Sequence, residues 1–202
     1  MYHYLLCCFV AFSLISTVSC LHVNTADQLF NLFKNATGNT LKEDIELLDD
    51  LDFSHASLSL PLGVFSNGTC VPFSGVFQGN GYSICGLDMK NEGRQGYNNA
   101  GLFCSLKNAT VENLVIDSSC WFSGYSVGTL CVSVEGSLVV KNVTNKADVS
   151  GIQRVGSFVG YVMNLRDVYV TFRDCENNGT VPGGYLYVGG FVGYINNNIN
   201  TM

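Results

Sequence analysis

Val155-Gly156-Ser157-Phe158-Val159-Gly160-Tyr161-Val162 returns 33 residues later as Val188-Gly189-Gly190-Phe191-Val192-Gly193-Tyr194-Ile195. Two weaker copies come earlier, Ala100-Gly101-Leu102-Phe103-Cys104 and Val127-Gly128-Thr129-Leu130-Cys131. Gly101, Gly128, Gly156 and Gly189 anchor the copies at spacings of 27, 28 and 33. A second apolar segment recurs within each period: Val111–Leu114, Val140–Val143 and Phe172–Cys175. Conserved short strands separated by turns of variable length are the signature of stacked coils, because an insertion bulges outward without disturbing the stack. One coil alone cannot bury its apolar face. Successive coils therefore pair as a parallel ladder about 4.8 Å apart and set like residues on like.

The expectation is an all-β chain, a right-handed parallel β-helix (solenoid) with one N-terminal capping α-helix. Stacking predicts one column of Phe103, Leu130, Phe158 and Phe191, and a second of Cys104, Cys131, Val159 and Val192. Equivalent positions in adjacent coils lie near 5 Å apart, within disulfide range, so a Cys104–Cys131 bridge is one expectation. Two buried thiols standing in for Val are the other. The repeat glycines imply either positive φ or close backbone approach.

One segment has helical periodicity. Thr25-Ala26-Asp27-Gln28 forms a capping box, and Ala26, Leu29, Phe30 and Phe33 make one apolar stripe, with Gly38 as the expected stop. The domain reading is a signal peptide at 1–20, a capping helix at 21–40 and β-helix repeats at 41–202, with truncation at the C-terminal end as one expectation. Leu5 to Val18 is apolar and uncharged and ends in Ser19-Cys20, which reads as an export signal, although the four residues before it lack Lys or Arg. A signal anchor or buried strand is the competing reading. No later stretch is apolar for the roughly 20 residues of a membrane span, so no span is expected in the mature chain.

Five Asn-x-Ser/Thr acceptors, at Asn35, Asn67, Asn108, Asn142 and Asn178, agree with passage through a glycosylating compartment. Cys70, Cys85, Cys104, Cys120, Cys131 and Cys175 remain once Cys7, Cys8 and Cys20 leave with the signal, whereas cleavage one residue earlier leaves Cys20 as a seventh. They contain no Cys-x-x-Cys pair, which argues against structural zinc. A net charge of −6 with only 13% charged residues excludes a basic nucleic-acid binder and a disordered chain.

Pro72 to Leu87 reads PFSGVFQGNGYSICGL, the acidic run Leu47–Asp52 precedes it, and Ala100–Leu106 follows. Together with Val188–Gly193 these segments resemble the GLUG-repeat proteins of bacterial and protist surfaces. The resemblance covers most of 22–195. It implies a parallel β-helix exposed at a cell surface or secreted, and it brings no catalytic residue with it. The six cysteines depart from the bacterial members and favour a eukaryotic microbe's secretory route.

Catalytic patterns are weak. Gly124-Tyr125-Ser126-Val127-Gly128 matches G-x-S-x-G, but no helix signal follows and Gly128 already belongs to the repeat. His22 and His55 are the only candidate bases of the mature chain. Glu43, Asp44, Glu46, Asp49, Asp50 and Asp52 suit either Ca²⁺ or a solvated acidic edge, the second being favoured. Asp167 and Asp174 read as surface acids before they read as a glycosidase pair. No P-loop, GxGxxG or HExxH pattern occurs, and no catalytic residue, cofactor or metal is expected. Tyr and Phe, 10 and 13, are mostly needed for the core, though exposed rings on a flat face suit sugar stacking.

The expected function is a non-catalytic secreted or cell-surface glycoprotein, adhesin-like or structural. The alternative is a polysaccharide lyase or hydrolase built on a β-helix. Host or matrix glycans or proteins are the expected partners, with no nucleic acid. A repeat core close to the end of the sequence suggests end-to-end self-association or a missing C-terminal region.

Overall fold

The computed structural model describes residues 20–35, 41–55, 60–64, 68–91, 98–163, 168–182, 184 and 186–196. Residues 1–19 of the expected signal, Gly38, Asn67 and Asp167 lie outside them. Cys20, the last residue assigned to the signal, opens β1 (Cys20–Val23), and α1 (Ala26–Lys34) follows. Sixteen strands come next: β2 (Asp44–Leu47), β3 (Leu51–Asp52), β4 (Val76–Gln78), β5 (Ser83–Cys85), β6 (Asp88–Lys90) and β7 (Phe103–Leu106) lead. They continue with β8 (Ala109–Ile116), β9 (Trp121–Val127), β10 (Cys131–Val134), β11 (Leu138–Asn145), β12 (Asp148–Gly156) and β13 (Val159–Val162). The last are β14 (Val170–Arg173), β15 (Glu176–Asn177), β16 (Tyr187–Gly189) and β17 (Val192–Ile195).

The strands form three parallel sheets. The first runs β1-β2-β4-β8-β11-β14, with β3, β5 and β15 beside it; the second runs β6-β9-β12-β16; the third runs β7-β10-β13-β17. The chain visits first, second and third sheet in turn about four times, a parallel β-solenoid as the repeat requires. Register follows the periodicity. Val111, Val140 and Phe172 lie over one another, and Val159 lies over Val192.

The core runs along the solenoid axis. Ile45, Phe77, Val111 and Val140 line the first sheet, all fully buried. Farther round that sheet Ile84 and Ile116 give way to Asn145, which is also fully buried. Its side chain tolerates burial because each polar atom is engaged. Nδ2 donates to the Ala147 carbonyl and to Asn177 Oδ1, and Oδ1 accepts from the Ala147 N–H.

The helix closes the N-terminal mouth. Thr25 Oγ1 accepts from the Gln28 N–H at 3.2 Å, the first half of the capping box, while Gln28 Oε1 reaches one residue past the cap and accepts from the Asn24 N–H at 2.9 Å rather than from Thr25. Ala26, Leu29 and Phe33 turn inward, and the Phe33 ring lies 5.5 Å from Phe103 and 6.1 Å from Phe73. Burying one such ring contributes about 1.5–3 kcal/mol. Asn35 caps the C-terminal end, donating its N–H to the Asn31 and Phe33 carbonyls.

Close approach, rather than positive φ, explains the repeat glycines. Among the described glycines, positive φ occurs at Gly63, Gly68, Gly81 and Gly86, none of them in the repeat. A Cβ on Gly156 would lie 2.2 Å from the Val159 carbonyl oxygen, and one on Gly193 would lie 2.5 Å from the Val155 nitrogen. The second and third sheets thus meet backbone to backbone at their shared corner, where a side chain has no room.

The Cys104–Cys131 expectation is corrected. Cys131 lies opposite Phe103, because the corner after Gly101 holds one residue fewer than the corner after Gly128. Ala100 pairs with Val127 at a separation of 27, whereas Phe103 pairs with Cys131 at 28. This slip sets Cys131 in the core beside Val159, and alternation along β7 turns Cys104 away from it. Cys104 is disulfide-bonded to Cys70, with Cα atoms 5.9 Å apart. The bond pins the segment around Leu62 and Val71 to β7, the end strand of the third sheet, along which Leu62 pairs with Phe103 and exchanges backbone hydrogen bonds with Leu102 and Cys104. The same slip removes Phe103 from the predicted aromatic column. It stacks on Phe73 at 5.4 Å instead, while Phe158 and Phe191 remain paired at 5.0 Å.

Candidate functional site

The repeat that builds the core also builds an array on the surface. Arg154 is in register with Tyr187 across the second sheet, and Tyr161 with Tyr194 across the third. Both pairs are 33 residues apart, the spacing of the repeat itself. At the corner the pairs meet. The Arg154 guanidinium lies 4.7 Å from the centre of the Tyr161 ring and 5.5 Å from that of Tyr194, and the Tyr187 and Tyr194 rings are 4.4 Å apart. A cation over these ring faces stabilises the array by about 0.5–2 kcal/mol and fixes the plane of the rings. Arg154 Nε is buried and has no hydrogen-bond partner among the described residues. The coil below carries Ser126 and Ser133 at the corresponding positions, so the array stands at the C-terminal end of the corner.

Apolar surface extends from it. Tyr187, Leu186 and Val188 are 45%, 59% and 41% exposed, and Trp121, Tyr125 and Ile152 lie exposed on the second sheet below. Rings with an apolar face and a hydroxyl rim suit flat, amphipathic ligands.

The glycan acceptors occupy different ground. Asn35, Asn108, Asn142 and Asn178 are all exposed. Asn108 and Asn142 flank or lie within strands of the first sheet and take positive φ, 51° each, a conformation asparagine tolerates. Asn142 Nδ2 donates to Asn113 Oδ1, and Asn113 Nδ2 donates to Gln78 Oε1, giving an amide ladder along the first sheet.

The weaker sequence candidates resolve as follows. Ser126 lies in β9 at 1% exposure, its N–H donating to Asn99 Oδ1; a parallel strand running into the Gly128 corner is not a nucleophile elbow. Asp174 holds a left-handed turn at φ 52° in the same row as Asn142. The acidic run does not converge on one point. Asp44 accepts from the Val76 N–H, Asp50 from the Ser83 N–H and Asp52 from the Ser54 N–H, while Glu46 accepts from Asn80. Each carboxylate is engaged by a nearby amide, and Asp44 and Glu46 lie on β2, which is paired on both sides, by β1 and β4.

Cys20, Cys85, Cys120, Cys131 and Cys175 are free thiols. Burial pushes the Cys120 thiol up to about 12 and the Cys131 thiol higher still, so neither is nucleophilic near neutrality. The Cys20 thiol is also raised, first by burial and then by the Glu46 and Asp44 charges.

Sequence reasoning missed the corner array, although the 33-residue spacing of Arg154 to Tyr187 and of Tyr161 to Tyr194 contained the signal.

No family model matches the chain. It is 36% identical over 98 residues to Halomucin of Haloquadratum walsbyi (strain DSM 16790 / HBSQ001), a match covering 48% of this chain and 1% of that protein. In structure it resembles a candidate immunoglobulin A1 protease of Bacteroides ovatus, with a TM-score of 0.51, 15% identity, and coverage of 88% of this chain and 62% of that one. At that identity the likeness establishes the fold alone. The chain spans 1% of the length of Halomucin and 62% of that of the protease, less than two thirds of each. No helix among the described residues is long and apolar enough to cross a membrane.

Proposed function

We propose that the chain is a non-catalytic secreted or surface-displayed β-helix glycoprotein of the GLUG-repeat type, binding carbohydrate through its aromatic corner. The observation that carries this reading is the array of Arg154, Tyr161, Tyr187 and Tyr194, with exposed Leu186 and Val188 beside it. Its rings are held by register and by the guanidinium, so little ordering entropy is spent when a ligand stacks on them. Exposed Trp121 and Tyr125 lengthen the surface toward an extended polysaccharide. The four described acceptor asparagines are exposed, which supports a glycosylated product. The likeness to part of Halomucin, by name a mucin, supports a secreted glycoprotein as well.

Secreted full-length protein applied to a panel of immobilised polysaccharides tests the reading. Binding to at least one glycan, weakened about tenfold or more by Tyr187→Ala with the far-ultraviolet spectrum unchanged, supports it. Binding indifferent to both Tyr187→Ala and Tyr194→Ala overturns it. Release of reducing ends or unsaturated products from the same panel, abolished by an acid-to-Asn substitution, would replace adhesion with the enzymatic alternative.

A further inference from the structure

We propose that Cys20, His22 and Glu46 form a binding site for a divalent transition-metal ion, with Zn²⁺ as the matching ion, on the outer face of β1 and β2. Cys20 and His22 alternate along β1 and so share one face. Parallel register then sets Glu46 of β2 beside His22. One donor atom from each side chain lies within 4.8 Å of the other two, and His22 Nε2 is 3.1 Å from Glu46 Oε2. Around a tetrahedral zinc ion, donors at about 2.0–2.3 Å from the metal sit roughly 3.3–3.6 Å from one another. Rotation of side chains by about 1 Å closes the set, and the strands carrying them stay in place.

The donor types select the ion. Thiolate with imidazole and carboxylate is the borderline-soft combination that zinc accepts; Ca²⁺ and Mg²⁺ prefer oxygen throughout. Glu46 is also held in position. Its other oxygen, Oε1, accepts from Asn80 Nδ2 at 2.8 Å, and the same amide donates to the Leu47 carbonyl at 2.9 Å. Such outer partners fix the lone pair that a carboxylate turns toward a metal. The imidazole is 58% exposed, which leaves a fourth coordination position for water. On binding, the Cys20 S–H bond breaks, its proton passes to solvent, and the sulfur lone pair forms the bond to zinc. Affinity therefore rises with pH. An ion here ties β1, the edge strand of the first sheet, to β2.

Titration of chelator-stripped secreted protein with Zn²⁺, followed by calorimetry, and with Co²⁺, followed by absorption, tests the assignment. One ion per chain is expected, with a thiolate-to-cobalt charge-transfer band. Cys20→Ser should abolish the band. His22→Ala and Glu46→Gln should each weaken Zn²⁺ binding at least tenfold, and Asn80→Ala by about 10–100-fold. Glu43→Gln, whose carboxylate accepts from the Lys42 N–H, should leave binding unchanged. Circular dichroism of each variant shows that the sheet is retained. Failure to bind stoichiometrically, binding indifferent to Cys20→Ser, or a mature chain that starts after Cys20 would each overturn the proposal.

Discussion

Replacing the Cys70–Cys104 bond by Cys70→Ser with Cys104→Val removes the covalent tie while keeping bulk at Cys104, which is 1% exposed. The bond closes a loop of 34 residues. In the chain-entropy treatment that loop restricts the unfolded chain by about 12.6 cal/mol/K, or about 3.8 kcal/mol at 25 °C. The perturbation also loosens the segment carrying Leu62 and Val71, which the Leu62 bonds to Leu102 and Cys104 and the Phe73 bonds to Ser105 and Lys107 then hold to the neighbouring coil. For a chain of this length each kcal/mol moves the melting temperature by about 2–4 °C, so a fall of roughly 8–15 °C is expected. Urea unfolding followed by fluorescence and circular dichroism gives the free energy, and non-reducing peptide mapping of the parent confirms the partners. A loss below about 1 kcal/mol, or mapping that joins Cys104 to Cys131, would refute the reasoning, since register opposes Cys131 to Phe103.

Other outcomes follow from the packing and the charges. Gly156→Ala, whose Cβ meets backbone oxygen at 2.2 Å, should destabilise by at least the upper part of about 1–3 kcal/mol, whereas Gly190→Ala, with open space around it, should be near neutral in the same denaturation assay. Phe158→Ala, which removes a fully buried ring in contact with Phe172 and Phe191, should cost about 3–5 kcal/mol. Asp117 and Asp148 are held below the usual carboxylate range, Asp117 by the Ser119 N–H and hydroxyl, Asp148 by the Thr180 hydroxyl and N–H. A depressed folded value means stability that is complete above the unfolded value near 3.9 and lost as pH falls below it. Unfolding midpoints between pH 6 and pH 3 should therefore decline less in Asp117→Asn/Asp148→Asn than in the parent.

The architecture was legible because a solenoid writes its geometry into the chain as a period. Phe158 over Phe191 and Val159 over Val192 follow from the 33-residue spacing alone, and the capped helix from Thr25 and Gln28. The disulfide was not legible. The difference between the 27- and 28-residue spacings is visible, but only coordinates locate the slip between Ala100 and Phe103. Cys70 also sits in a segment without repeat character, so nothing in the pattern linked it to Cys104. The metal donors were hidden for a related reason. Cys20 pairs with Asp44 at a separation of 24, short of any coil period, and had been assigned to the leader.

Stacking of consecutive coils in parallel is what every step above depends on, and methyl nuclear Overhauser contacts between β13 and β17 test it directly. In the parallel register Val159 faces Val192 and Val162 faces Ile195, each about 5 Å apart. Cross-peaks for those two pairs are the expected result. Cross-peaks joining Val159 to Ile195 and Val162 to Val192 would make the strands antiparallel and contradict the solenoid.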